Sequence, residues 1–138
     1  MSSEQSLQAE IKDILSQGPI AGLAGGEELP SSSGETFDVN DPGSGEKLAE
    51  VHNLQAEDVD RAVELAGQAF ENAEWAGLPV NERCVYLHRL ADEVENRKPL
   101  ISHLESMDCG KILGQAEDDV QNFIDTMRYF ADLAQNTQ

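Results

Sequence analysis

Two cysteines are the residues of this chain with the most direct nucleophilic chemistry. Cys109 stands in the run Met-Asp-Cys-Gly-Lys, where the ammonium group of Lys111 could lower the thiol pKa and favour the reactive thiolate. Its position argues against this role, because the pattern places Cys109 at the C-terminal end of a helix, whose dipole destabilises a thiolate. No His or Asn that could orient a nucleophile is implied nearby. Cys84 lies on the apolar face of its helix, which predicts a core residue.

The histidines and one glycine-rich loop predict neither a metal site nor a phosphate site. His52, His88 and His103 have no paired spacing and no HExxH pattern, so surface or helix-edge positions are predicted. Residues 43–47, Gly-Ser-Gly-Glu-Lys, have some of the composition of a phosphate-binding loop. They lack its Gly-Lys-Ser/Thr ending and precede a strand, whereas such a loop opens a helix, so a hairpin turn is predicted. The absence of a GxGxxG motif leaves no visible dinucleotide site.

Acidic residues could serve as general acids or bases only where burial shifts a pKa. Solvated positions on helix surfaces are predicted for three neighbouring pairs, namely Glu57-Asp58, Asp92-Glu93 and Asp118-Asp119. Asp108 differs, because it stands at a predicted helix end beside Gly110, where it could turn inward to coordinate a cation or cap a loop. From the residues alone, capping is the favoured interpretation.

The elements that must position these residues are mainly amphipathic helices. Apolar residues recur at helical spacing in residues 3–17, before Gly18-Pro19, and again after Leu54. Breaks at Trp75–Pro79, at Pro99 and at Asp108–Gly110 divide this second part into four helices. The last three are predicted from about Asn81, over Leu100–Met107 and from about Leu113 to Ala134. The apolar stripes of the first and last of the four comprise Val59, Ala62, Val63, Ala66 and Phe70, and Val120, Phe123, Ile124, Met127, Phe130 and Ala131.

Between the first helix and the other four, the chain is rich in Gly and Ser and predicts a strand and hairpin region. Three short β-like segments are separated by turn signals: Ile20–Ala24, Thr36–Val39 and Leu48–Val51. Such helices normally bury their apolar stripes on a sheet, and three short strands are too few to cover them. We therefore expect apolar stripes to be exposed, which favours association with other polypeptide or partial disorder.

Composition and charge restrict the classes of partner. The chain has 138 residues, 39% of them hydrophobic, which suits one ordinary domain or part of a larger one. Nine Lys and Arg against 27 Asp and Glu give a net charge of −18, which argues against binding to nucleic acid or to anionic membranes. The N-terminus does not resemble a secretory signal, and no apolar run is long enough to cross a bilayer. A cytoplasmic location is therefore expected.

The order of these segments resembles the N-terminal part of the NAD(P)-dependent aldehyde dehydrogenase superfamily. The resemblance extends from about Ile20 to Ala134 and rests on the run of motifs at the family's spacing rather than on one motif. The matching segments are Gly34–Val51, Glu57–Val63 with Phe70, Trp75 with Pro79 and Glu82-Arg83, Leu87 to Glu95, Leu104–Lys111 and Arg128–Ala131. Departures from the usual residues occur at Glu28, Asp41, Cys109 and Ile112.

This resemblance implies the fold class and the domain organisation. We expect an α/β fragment that is mostly helical, with an N-terminal helix, a short β-hairpin region and four further helices. Residues 1–18 would form the extra N-terminal helix of some members. Residues 19–138 would form an incomplete N-terminal part of the cofactor-binding domain, without its Rossmann strands.

The resemblance also implies an activity that this chain should lack by itself. In the family reaction, a cysteine thiolate attacks the aldehyde, hydride passes to NAD or NADP, and a glutamate-activated water releases the carboxylic acid. The nucleophile, the general base and the NAD site lie later in family members, so an inactive fragment is expected. Its partner would be the remainder of the dehydrogenase. The alternative is a shortened paralogue that acts as a non-catalytic binding module on another chain, and a third is an unrelated helical scaffold.

Four residues correspond to sites of the family. Members often bind a monovalent cation through two backbone carbonyls of the hairpin and one Asp side chain, which correspond here to Val39, Asn40 and Asp108. The last helix, around Asn122, resembles the helix that borders the substrate tunnel. These assignments rest on the resemblance alone.

Overall fold

The computed structural model describes residues 3–136 and confirms a mostly helical α/β chain. Five helices and four strands occur in this part of the chain. In order they are α1 Ser3–Ser16, β1 Gly22–Ala24, β2 Glu27–Leu29, β3 Thr36–Asn40, β4 Lys47–His52, α2 Ala56–Glu71, α3 Val80–Asn96, α4 Lys98–Cys109 and α5 Leu113–Asn136. No helix among the described residues is long and apolar enough to cross a membrane. Residues 12–77 form one compact unit, and residues 78–136 form a second unit with residues 3–11.

The first hairpin, β1–β2, contains a strand that the sequence did not predict. Strand β2 pairs antiparallel with β1, with Gly22 opposite Leu29 and Ala24 opposite Glu27. The turn between them uses Gly25 and Gly26, whose φ angles of 62° and 83° favour residues without a Cβ atom. Because Glu27-Glu28-Leu29 has no β-branched or aromatic residue, its local pattern does not indicate a strand. Backbone pairing with β1 forms it instead.

The second hairpin, β3–β4, has the turn that the sequence predicted. Phe37 lies opposite Val51 in the antiparallel ladder, and the register shifts between Val39 and Asn40. Ile20 extends this small sheet, because its N–H donates to the Glu50 carbonyl at 2.7 Å and its own carbonyl accepts from the N–H of His52 at 3.0 Å. The predicted strand Ile20–Ala24 is thus divided between two sheets.

The second unit packs α3, α4 and α5 around a small apolar core. Ala91 and Ile124 are fully buried and Val120 is nearly so, with Val94, Ile101 and Met127 packed against them. Cys84 is buried as predicted, and its thiol donates to the Ala131 carbonyl at 3.1 Å. Pro99 begins a helix rather than interrupting one. It lies in the first turn of α4, where its missing N–H would have no intrahelical partner.

Candidate functional site

The predicted apolar stripe of α5 divides into a buried part and an exposed part. Val120 and Ile124 pack into the core, whereas Phe123 and Phe130 are exposed in spite of belonging to the same stripe. The ring of Phe130 meets the ring of Tyr129 edge to face, with centroids 5.2 Å apart. Large apolar side chains are also exposed on α3 and in the α4–α5 connection, namely Val85, Leu90 and Ile112. The helical unit therefore exposes several large apolar side chains.

An open hollow lined by residues of α3, α4 and α5 has a floor of apolar side chains. Its volume is about 330 Å³, and it is lined by Val94, Ile101, Val120 and Phe123, with the side chains of Glu105 and Asp119 also contributing. The two carboxylates are not free to act on a ligand, because both bind the same ammonium group. Nζ of Lys111 lies 2.6 Å from Glu105 and 2.7 Å from Asp119.

The ion cluster of Lys111 holds the end of α4 to the start of α5. Hydrogen bonds that Lys111 donates to Asp119 and Glu105 raise the pKa of Lys111, and the Lys111 ammonium holds the pKa of Glu105 below its ordinary value. The hydroxyl of Ser106 donates to the Lys111 carbonyl at 2.7 Å. Fully charged groups in mutual contact are typical of a structural cluster, whereas general acid–base catalysis needs a group near its titration point.

Cys109 has the wrong electrostatics for a nucleophile, in agreement with the sequence interpretation. Its thiol is exposed, and Sγ lies 3.5 Å from Oε1 of Glu105. Partial desolvation and the hydrogen bond to Glu105 raise the pKa of this thiol, and these effects exceed the opposite influence of Lys111. The thiolate needed for attack on a carbonyl is therefore disfavoured.

The end of α4 is closed by Gly110 rather than by Asp108. Gly110 adopts the left-handed conformation with φ 71°, and its N–H donates to the Ser106 carbonyl at 3.0 Å. The side chain of Asp108 is exposed in the last turn of α4. The predicted capping role therefore passes to Gly110, since a left-handed residue closes the helix through its backbone.

The three histidines occupy separate positions. His88 lies 3.0 Å from the Asp132 carboxylate, and Nδ1 of His103 lies 2.7 Å from the Pro99 carbonyl. His52 is on β4, with Nδ1 enclosed and without a partner among the described residues. Within residues 3–136, no group of three or more His, Cys, Asp or Glu side chains is arranged to hold a metal ion.

The residues assigned by resemblance fall on defined elements. Val39 and Asn40 lie at the register shift of β3, in the unit of residues 12–77. Asp108 lies on α4 in the other unit, and the cation site stays a prediction. Asn122 is exposed on α5.

The loop of residues 43–47 is a hairpin turn, as predicted, with an acidic residue at its base. The carboxylate of Asp41 accepts hydrogen bonds from the N–H groups of Gly43 at 2.6 Å and Ser44 at 3.3 Å. The bond from Gly43 is the main reason that the pKa of Asp41 lies below its ordinary value. The carboxylate occupies the backbone donors that a phosphate would need.

Asp58 is the polar residue whose position the sequence interpretation misjudged. It was expected on a solvated helix face with Glu57, but its side chain is buried. Its carboxylate accepts from the N–H of Gln55 at 2.8 Å and from the N–H of Ser32 at 3.1 Å and 3.2 Å. Asp at the third helical position is a known capping signal, which could have identified the contact to Gln55. The contact to Ser32 had no local signal.

Comparisons with known proteins relate most of this chain to aldehyde dehydrogenases. The model of the family described as "Aldehyde dehydrogenase family" matches residues 29–138. The chain is 38% identical over 107 residues to the putative aldehyde dehydrogenase DhaS of Bacillus subtilis, covering 77% of this chain and 22% of that protein. It is also 38% identical over 110 residues to a mitochondrial benzaldehyde dehydrogenase of Antirrhinum majus, covering 79% of this chain and 21% of that protein.

Solved structures show the same fold over nearly the whole chain. A betaine aldehyde dehydrogenase from Staphylococcus aureus in complex with NAD+ matches with a TM-score of 0.85 and 27% identity, over 92% of this chain and 25% of that chain. An aldehyde dehydrogenase from Bacillus cereus matches with a TM-score of 0.84 and 32% identity, over 89% of this chain and 25% of that chain. The chain thus spans about a fifth to a quarter of the length of these relatives.

Proposed function

Because the chain belongs to the aldehyde dehydrogenase family, we propose that it supplies the N-terminal helical part of an NAD(P)-dependent aldehyde dehydrogenase. Such an enzyme is an oxidoreductase that converts an aldehyde to a carboxylic acid. The family match, over residues 29–138, supports the membership, and the NAD+ complex of the Staphylococcus aureus relative supports a nicotinamide cofactor. The part played by this chain is to complete and support the cofactor-binding domain.

The chain by itself is proposed to be inactive. Aldehyde oxidation in the family needs a thiolate nucleophile, and the electrostatics of Cys109 oppose ionisation of its thiol. The other cysteine, Cys84, is buried and donates to a backbone carbonyl. Neither thiol suits attack on an aldehyde.

The observation that carries the proposal is the exposure of large apolar side chains on the helices. Val85, Leu90, Phe123 and Phe130 are exposed on α3 and α5. Contact with further polypeptide would remove this surface from water, at a gain of roughly 25 cal/mol per Å² of apolar area. The relatives are four to five times as long as the matched segment, so their remaining length supplies such polypeptide. We therefore propose that the remainder of the dehydrogenase covers these helices.

A chimeric enzyme tests this function. Residues 29–138 would replace the matched segment of the Antirrhinum majus benzaldehyde dehydrogenase, and NADH formation with benzaldehyde would be followed. We expect activity in the chimera and none in the 138-residue chain at the same concentration. The unaltered host enzyme is the control. A folded but inactive chimera would contradict the function, and in that case binding of the isolated chain to the intact host enzyme would favour the binding-module alternative.

A monovalent cation at Val39, Asn40 and Asp108 remains part of this proposal. Two backbone carbonyls and a carboxylate are hard oxygen ligands, which suit a cation of this type. In the active chimera, Asp108→Ala should abolish any stabilisation by KCl relative to an equal concentration of N-methylglucamine chloride. Asp118→Ala, an exposed change on α5, is the matched control. An equal response to KCl in both variants would exclude the site.

The position of Asn122 at a substrate tunnel also remains a proposal. The residue is exposed on α5, which leaves its amide available to a neighbouring segment. In the chimera, Asn122→Ala should change the KM for benzaldehyde more than it changes kcat, because a tunnel residue acts on binding before the chemical step. An unchanged KM would remove Asn122 from the tunnel.

A further inference from the structure

Two contacts within its own unit show which side of α2 faces the hairpins. Near the start of α2, the carboxylate of Asp58 accepts hydrogen bonds from the backbone N–H groups of Ser32 and Gln55. In its middle, Leu65 packs beside Gly25 at the turn of the first hairpin. A Cβ atom added at Gly25 would lie 3.4 Å from the two methyl carbons of Leu65. Because Asp58 and Leu65 face the hairpins, the other faces of α2 point away from the hairpins.

A stripe of apolar side chains on α2 is left exposed by this orientation. Val59, Val63 and Phe70 are 52%, 67% and 74% exposed. Their spacings of four and seven residues place them on one face of the helix. We refer to these three residues as the α2 stripe. Ala66 lies between Val63 and Phe70 on the same face, so the stripe is continuous over three turns.

One border of the α2 stripe is acidic. Successive residues of a helix are about 100° apart around its axis, so Asp60, Glu64 and Glu71 form a row on the side of the stripe away from the hairpins. Over Ala56–Glu71 there are five acidic residues, Glu57, Asp58, Asp60, Glu64 and Glu71, against the single basic residue Arg61. A partner that covers the stripe therefore meets negative charge along one side.

We propose that the α2 stripe docks an apolar face bordered by basic residues, and that the remainder of the dehydrogenase carries this face. The inference rests on the proposed function for the identity of the occupant. Its chemistry follows from the helix itself, because apolar contact removes the exposed stripe from water and Lys or Arg side chains complement the acidic row. A second copy of the chain is disfavoured, because it would oppose acidic rows in a molecule of net charge −18.

Binding of designed peptides to the 138-residue chain tests the chemistry of the site. Two synthetic helical peptides would share a leucine stripe, with lysines along the border of one and glutamates along the border of the other. We expect the lysine peptide to bind at least about tenfold more tightly in low salt. Equal binding of the two peptides would overturn the acidic border as a determinant.

Variants of the chain separate the α2 stripe from its general negative charge. Val63→Asp and Phe70→Asp should each weaken binding of the lysine peptide about tenfold. Ile112→Asp is the matched control, since Ile112 is 70% exposed and lies in the other unit, and it should change binding less than about twofold. Far-ultraviolet circular dichroism checks that all three variants fold, and Val63→Ser offers a milder change. Equal effects of the three Asp variants would show attraction by charge alone and would overturn the site.

The chimera identifies the occupant. If the remainder of the dehydrogenase covers the α2 stripe, the active chimera should not bind the lysine peptide that the isolated chain binds. Binding to both proteins would overturn the remainder as occupant while leaving the proposed function intact. An inactive chimera would contradict the proposed function. If the isolated chain still bound the lysine peptide through the α2 stripe, the remainder of the dehydrogenase would also be overturned as the occupant, and only the chemistry of the stripe would be supported.

Discussion

The two units of the chain are stabilised by different interactions. In the helical unit, Ala91, Val120 and Ile124 form an apolar core in which side chains from two helices interlock. In the hairpin unit, the buried residues include Ser31 and Asp58, and both act through hydrogen bonds to the backbone. Side-chain packing between helices thus characterises the helical unit, whereas the hairpin unit combines a few buried apolar residues, such as Leu29 and Ala49, with polar contacts across its loops.

The two units also differ in the place of their exposed apolar side chains. In the helical unit, Phe123 and Phe130 are in contact with water, but other apolar residues still form a core. In the hairpin unit, α2 presents its main apolar stripe outward and contacts the hairpins through Asp58 and Leu65. We therefore expect the hairpin unit to gain more from a covering partner than the helical unit does.

The largest effect is expected in the helical core. Ile124→Ala would leave a cavity at a fully buried position and should lower the free energy of unfolding by about 2–5 kcal/mol. Urea unfolding followed by circular dichroism measures this change. Phe123→Ala, at the neighbouring exposed position, should cost clearly less. Equal costs would mean that the apolar core does not maintain this unit.

The next effect concerns the polar contact of the hairpin unit. Asp58→Ala removes the acceptor of the N–H groups of Ser32 and Gln55 and leaves them unpaired near the protein interior. The melting temperature should fall by several degrees. Asp60→Ala, on the same helix but exposed, is the matched control and should leave the melting temperature nearly unchanged. Similar melting temperatures for the two variants would contradict the role of Asp58.

The same carboxylate predicts a dependence of stability on pH. The hydrogen bonds from Gln55 and Ser32 hold the pKa of Asp58 below its ordinary value of 3.8 in the folded state. The unfolded state therefore binds more protons in this range, so the stabilisation from Asp58 is present above pH 3.8 and is lost as pH falls through the lower folded pKa. The stability difference between the wild-type chain and Asp58→Asn should shrink in acid. A difference that is independent of pH would show that Asp58 acts without its charge.

The smallest effect is an expected gain in the helical unit. The hydroxyl of Ser102 on α4 is fully buried and has no hydrogen-bond partner among the described residues. Ser102→Ala removes a polar group that is desolvated without compensation, and it should stabilise the chain by up to about 1 kcal/mol. Thermal unfolding detects the change, with Ser106→Ala as a contrast, because Ser106 donates to the Lys111 carbonyl. Destabilisation by Ser102→Ala would mean that its hydroxyl is satisfied in solution.

Local signals in the sequence were sufficient for most of the elements. Helical spacing of apolar residues predicted all five helices, because α-helical hydrogen bonds join residues close in the chain. The turn of residues 43–47 was predicted from its glycines, and the resemblance to aldehyde dehydrogenases is confirmed by the family match. Strand β2 was missed because a strand forms through a partner, and Glu27-Glu28-Leu29 carries little local preference for one.

The candidate sites were less accessible to sequence reasoning. The raised pKa of the Cys109 thiol agrees with the interpretation based on its helix end, although the structure adds Glu105 as a cause. The burial of Asp58 was not predicted, because it depends on the backbone N–H of Ser32, 26 residues away in the chain, which local spacing does not position. The cation site at Val39, Asn40 and Asp108 stays a prediction.

The sequence by itself determined where the helices lie, where the chain turns, which family it belongs to and how negative its surface is. These properties depend on neighbouring residues or on a sum over all residues. Only the tertiary structure decided how much of each apolar stripe is covered. Asp58 is buried while Val63 and Phe70 on the same helix are exposed, because burial depends on the segments that pack across a helix and not on the helix alone.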